Sequence, residues 1–349
     1  MKKSTSALVL FASLVAAACG PMGTTGDGST TNDSSSSQDG NNPNCTNPCS
    51  CADRGQPDFS HENDGAQPAA GDARQQAALV RANHWRTAAG LAPLNGNAQI
   101  QQAAEAHANY LATTSQATCW PNPHQESSSC AGYTGTNMGD RMTMAGYQWT
   151  RASEVINWED NANDAIDGWI WTVYHRQSFM DYRMLDTGYA YHDGTFGGRP
   201  ATHNVMDFGT PRGATPQGPS GPVVFPVPGL TGVPRSFRGD LEGPTPPPPG
   251  GAASWPTTGS GTVVSMHFPG DAWTVTEHHL FSTANNACTE VEHTYISKDN
   301  DANLNRGAPS NDVFMYANQP LAAATEYVAS VTGTWNGQAF TRTWAFTTQ

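Results

Sequence analysis

Apolar residues mark out the chain unevenly. One apolar run, Ala7 to Ala18, comes first, and residues 20–71 then contain no Val, Ile, Leu, Trp or Tyr. Such a stretch cannot bury enough apolar surface to offset its ordering entropy, so it reads as an unstructured tether. Periodicity begins near residue 72. Ala78, Ala82, Trp85 and Ala89 recur at helical spacing beside Leu79, and Gly90 closes the pattern. A second helix is expected after Asn97, with Ile100, Ala103, Ala104, His107, Ala108 and Leu111 in one stripe. A third is expected near 159–173, carrying Ala162, Ala165, Ile166, Trp169, Ile170 and Val173. Strand-like runs follow at Thr187–His192 and Thr202–Phe208. Helices first and strands afterwards predict an α+β layered fold.

Thr210–Gly221 is rich in Gly and Pro and reads as a linker. Beyond it lie seven short β segments: Val223–Phe225, Val263–Phe268, Trp273–Thr276, Val291–Ile296, Val313–Tyr316, Glu326–Trp335 and Ala339–Thr347. Asn336-Gly337 separates the last two, a hairpin signal because both residues accept positive φ. About seven strands over this length predict an all-β sandwich. These shifts divide the chain into 1–18, 19–71, 72–212, 213–221 and 222–349.

Composition narrows the function. The chain has 349 residues, with 17 Lys+Arg against 30 Asp+Glu, and a net charge of −13. A strongly negative protein repels phosphate backbones, which argues against a nucleic-acid partner. Only 13% of residues are charged, against about 25% in an ordinary globular protein. Lys2 and Lys3 before Ala7–Ala18 form a secretory signal too short to span a bilayer. The ending Ala16-Ala17-Ala18-Cys19 resembles a bacterial lipoprotein signal, in which Cys19 becomes the lipidated N-terminus. The expected location is therefore outside the cytoplasm: lipid-anchored at the cell surface or outer membrane, or secreted. Export implies an oxidising compartment and disulfides. Cys119 and Cys130 form a local pair. Cys45, Cys49, Cys51 and Cys288 allow three pairings, and Cys288 is read as a staple to the N-terminal cluster.

Four stretches of residues 75–209 stand out together: Leu79–Arg86 with Gly90-Leu91-Ala92-Pro93-Leu94; Ala103–Ala108; Trp169–Arg176; and Asn204–Gly209. In this order and spacing they resemble the CAP superfamily of cysteine-rich secretory, antigen 5 and pathogenesis-related proteins, in its bacterial SCP-like form. Tyr327–Thr347 resembles a bacterial Ig-like module. The resemblance implies an α-β-α sandwich with an open cleft, followed by an Ig-like β-sandwich. Family members often direct two His and two acids into that cleft, where they can hold a divalent metal. By position, His124 matches the first His, Glu154 the first acid and His175 the second His. The second acid falls on Thr172, with Glu126 as the substitute.

Two neutral imidazoles and a carboxylate suit zinc with a fourth place for water, and metal-bound water can attack a carbonyl. No His-Glu-x-x-His helix or Gly-x-Ser-x-Gly elbow accompanies them. The expected role is therefore a binding or interaction module for a small apolar ligand, a lipid or an envelope component. The alternatives are a metal-dependent hydrolase using the cleft His/Glu cluster and a structural adhesive. His107 reads as a core histidine, His278, His279 and His293 as strand-surface residues, and Asp299–Asn305 as a solvated loop.

Overall fold

The computed structural model describes residues 46–67, 71–305 and 310–349. The signal segment, Cys19 and Cys45 lie outside them. A short turn of helix, α1 (Pro48–Cys51), precedes α2 (Ala73–Ala88), which Asp72 and Gln75 open with a reciprocal capping box. Asn83 of α2 is buried, and its amide holds both the N–H and the carbonyl of Leu94 at 2.7 and 3.0 Å. That pairing folds Gly90–Leu94 back along the helix. Then come β1 (Asn95–Gly96), α3 (Ala98–Thr113), α4 (Gln116–Cys119) and α5 (Met138–Met144). Next are β2 (Trp149–Asn157), α6 (Ala162–Ile170), α7 (Tyr174–Met180), β3 (Asp186–Phe196) and β4 (Arg199–Pro211). The expected third helix, near 159–173, is α6 and ends early at Ile170; after a turn at Trp171–Val173 the chain starts α7, which the sequence reading did not anticipate.

Strand order is β1-β3-β4-β2, antiparallel except for the short β1–β3 pair. Alternation along these strands builds three layers. Val155, Tyr189, Met206 and Phe208 point into a core shared with α2, α6 and α7. Ile156, Ala190 and Val205 point the other way, against Ala104, Ala108 and Leu111 of α3. Helix α3 lies so close to β3 that a Cβ on Gly188 would stand 2.2 Å from the Gln101 nitrogen.

The C-terminal strands are β5 (Val223–Phe225), β6 (Val263–His267), β7 (Trp273–Ser282), β8 (Thr289–Glu290), β9 (His293–Ile296), β10 (Asp312–Ala317), β11 (Glu326–Trp335) and β12 (Gln338–Thr347). They form two four-stranded sheets, β5-β6-β10-β9 and β12-β11-β7-β8. Asn336 (φ 49°) and Gly337 (φ 77°) make the β11–β12 turn. Val264, Met266, Val313 and Met315 of one sheet share a core with Leu280, Val331, Trp344 and Phe346 of the other.

That same core continues into the helices. Phe225 of β5 meets Trp85 and Trp171 at centroid distances of 5.6 and 5.1 Å. The 212–222 stretch has neither helix nor strand, yet no apolar boundary separates what it joins. The described residues fall within one compact unit.

The end of the expected tether is also docked. Cys49 is bonded to Cys288, Asp53 bridges to Trp344, and Arg54 pairs through two nitrogens with Glu326 at 2.9 Å. Phe59 stacks on His84 at 3.9 Å. Covalent and polar contacts hold this stretch where apolar content is too low to do so. Cys119 is bonded to Cys130, and Cys51 is also disulfide-bonded. Among the described residues, no helix is long and apolar enough to cross a membrane.

Candidate functional site

Glu154 and Asp207 stand directly opposite each other on β2 and β4, on the α3 side of the sheet. Around them runs a buried polar chain. His124 Nδ1 donates to Glu154 Oε1 at 2.9 Å, and Arg141 of α5 donates to Glu154 Oε2. Arg141 also lies 3.9 Å from Glu126, which accepts from His107 Nδ1 at 2.9 Å and from the Thr134 N–H at 2.6 Å. His107 is fully buried, as its place on the apolar stripe predicts, and its other nitrogen meets the Pro123 carbonyl. Of the titratable side chains in this cluster, His124 alone is exposed, at 43% against 2% for Glu154.

Burial opposes ionisation of Glu154, but the Arg141 charge, with help from His107 and His124, overrides it and holds the carboxyl well below its usual range. Asp207 behaves oppositely. Burial, then the Glu154 charge, push its carboxyl well above the ordinary value. Neither Asp207 oxygen meets a hydrogen-bond donor by distance and angle, so a proton shared with Glu154 is the arrangement that burial allows.

His175 is not part of this cluster. It belongs to α7, on the opposite face of the sheet, where Ser178 of α7 meets Ser153 at 2.6 Å. Its Nδ1 lies 3.2 Å from both Thr172 Oγ1 and Glu242 Oε1. Glu242, from the loop after β5, also accepts the backbone N–H groups of Val173, Tyr174 and His175. The acid that the resemblance expected at 172 is thus met by one from a loop distant in sequence, but its oxygens are committed to capping α7. Glu126, the proposed substitute, serves His107. Among the described residues no group of three or more His, Cys, Asp or Glu is arranged to hold a metal ion. His124, Glu154 and His175 do not fit a common cation as they stand.

Next to α7 the fold encloses a cavity of about 570 Å³. One wall is α7 with Asp181, Tyr182 and Arg183 and the start of β2 at Arg151; the other is β6, Phe268–Asp271, Lys298 and Ser310–Asp312. Arg183 donates twice to Asp181, at 2.7 and 3.1 Å. Gln177 Nε2 donates to Asp312 Oδ2 and Ser310 Oγ, both at 2.6 Å. Asp312 Oδ1 accepts a hydrogen bond from His267 Nδ1 at 2.8 Å, and His267 Nε2 meets Ser265 Oγ at 2.8 Å. This acid–His–Ser order resembles a nucleophile relay. Ser265, however, is 1% exposed and accepts from the buried guanidinium of Arg176 at 3.0 Å. No substrate can reach it, and the chain instead ties α7 to β6 and β10. Asp301 adds a further tie by accepting from the Tyr174 hydroxyl at 2.6 Å. Asp301 and Leu304 are buried and anchor the 299–305 loop, whose other residues are exposed or half-buried.

Arg141, Asp207 and Glu242 are the site residues that sequence reasoning passed over. Only Asp207 carried a readable signal: an acid inside Val205-Met206-Asp207-Phe208, an otherwise apolar strand.

Residues 79–208 match the family model described as CAP, the cysteine-rich secretory protein family. Among solved structures, an extracellular protein containing an SCP domain from Bacillus anthracis is 17% identical, with a TM-score of 0.30. That match covers 39% of this chain and 40% of the Bacillus chain, so less than half of that protein's length is spanned. An outer surface protein from Borrelia burgdorferi is 15% identical with a TM-score of 0.28, over 36% of this chain and 84% of its own. No curated protein matches the chain.

Proposed function

From the premise that residues 79–208 form a CAP domain, we propose that the protein is an exported, lipid-anchored surface protein that binds a polar fragment of the cell envelope between α7 and the C-terminal sheets. The carrying observation is the cavity of about 570 Å³ at that junction. Its size lies within the range of about 300–1,000 Å³ usual for small-molecule sites. Tyr174, Tyr182 and Phe268 supply rings, while Arg151, Lys298 and Asp271 supply charges of both signs. Rings beside paired charges suit a saccharide or glycopeptide better than an acyl chain. Export rests on the Lys2-Lys3 signal and Cys19, and on the Cys49–Cys288 and Cys119–Cys130 disulfides, which need an oxidising compartment. The two-sheet region serves as an Ig-like spacer that also supplies one wall of the site.

Binding is favoured over hydrolysis for a physical reason. Glu154 is committed to Arg141 and nearly closed to solvent, and Ser265 is buried. Soluble peptidoglycan fragments titrated calorimetrically into the full chain should bind saturably. Arg151→Ala and Tyr182→Ala should each weaken that binding about tenfold, the equivalent of about 1.4 kcal/mol. Binding unaffected by both variants, or saturation by a fatty acid in its place, would overturn the proposal.

A further inference from the structure

His278 and His293 stand 15 residues apart in sequence and lie on different sheets, on β7 and β9. At the open edge of the two-sheet region their rings meet, with His278 Nδ1 2.9 Å from His293 Nε2. Centroids are 5.1 Å apart and the planes cross at 80°. Among the described residues, no carboxylate lies within ion-pair distance of either ring; His279, next in sequence, turns to the other face and pairs with Glu290. The contact is therefore imidazole to imidazole, with one nitrogen donating and one lone pair accepting.

Surrounding contacts fix which is which. His293 Nδ1 donates to the Val291 carbonyl at 2.9 Å. That bond leaves Nε2 as the lone-pair nitrogen, the state a metal-ligating histidine needs and the usual way that state is set. Tyr295 stacks flat on His278 at 4.1 Å and backs that ring. His278 needs only to move its proton to Nε2 to present a second lone pair at the same place. Both rings are half-buried, so water can complete a coordination shell.

We propose that His278 and His293 form a two-imidazole site for a divalent cation of the copper(II) or nickel(II) class, clamping the two sheets together at their edge. The spacing selects the class. With bonds of about 2.0–2.1 Å, nitrogens 2.9 Å apart subtend about 90° at the cation, the cis angle of tetragonal coordination. Tetrahedral zinc would require the nitrogens to separate further. The rings now aim at each other, and a cation beside the N···N line is reached by turning each ring toward it. The site is separate from the cavity and from the Glu154 cluster, and does not depend on either.

The test is titration of the full, chelator-treated chain with copper(II) chloride, followed by calorimetry and by electron paramagnetic resonance. One equivalent should bind with a two-nitrogen tetragonal spectrum and raise Tm by several degrees. His278→Ala and His293→Ala should each weaken it at least tenfold, whereas His279→Ala and His124→Ala should leave it unchanged. Zinc should bind at least tenfold more weakly. No saturable copper binding, a spectrum without two nitrogens, or affinity unmoved by either pair variant would overturn the proposal.

Discussion

Asp207 carries an unusual burden for a single side chain. It is fully buried, faces an ionised carboxylate and finds no donor of its own. An isolated buried charge is costly, so the group stays protonated. The sign of the consequence follows. An unfolded Asp releases its proton near pH 3.9, while the folded chain retains it to a much higher pH. Stability contributed at this position therefore falls as pH rises from that value toward the folded one. Asp207→Asn keeps the shape and the neutral donor. It should flatten the decline and stabilise the protein near neutrality by about 1–3 kcal/mol, with the gain vanishing at about pH 4. Urea midpoints of both proteins across that range measure it; equal midpoints near neutrality would place an ionised Asp207 in the folded state. At this scale the sequence was partly readable. An acid between Met206 and Phe208 announces a buried carboxyl, but its partner becomes known only from the β2–β4 register.

Helix α7 is a short element whose start is supplied from elsewhere in the chain. Val173 offers no side-chain cap, and the buried Glu242 carboxylate takes three N–H groups in its place. Glu242→Ala leaves those donors unmet and should lower stability by about 1–3 kcal/mol, read as a drop in denaturation midpoint with its slope unchanged. Unaltered stability would mean that water caps the helix equally well. Legibility at this scale followed periodicity. The long strands β11 and β12, and the helices α2 and α3 with their complete stripes, were visible in the sequence. Helix α5, seven residues with little stripe, was not, and neither was α7, which starts just beyond Val173 where the third stripe ends. Motif spacing suggested that His175 and Glu154 would face one cleft. Strand alternation decides otherwise, because Glu154 shares its face with Ile156 while α7 covers the face of Val155.

Across the whole molecule, composition suggested two modules on a linker, whereas the core is continuous from Ala78 to Phe346. Trp85, Trp171 and Phe225 meet at the junction, and Arg176 reaches across it to the Val263 carbonyl at 2.9 Å. An isolated 72–215 fragment would expose Trp85 and Trp171 and strip the buried Arg176 guanidinium of its Val263 and Ser265 partners. It should aggregate or melt without cooperativity, while the full chain unfolds in one calorimetric transition; a cooperative fragment would restore two independent modules. A shared core also explains why a binding cavity lies at the junction, with walls that hold together only when both parts are present. The most direct measurement is the amide spectrum of the isotopically labelled full chain during titration with soluble peptidoglycan fragments. The account predicts shifts on both walls, at 178–184 and at 268–271 with 310–312. Shifts confined to His124 and its neighbours, or to one wall alone, would contradict it.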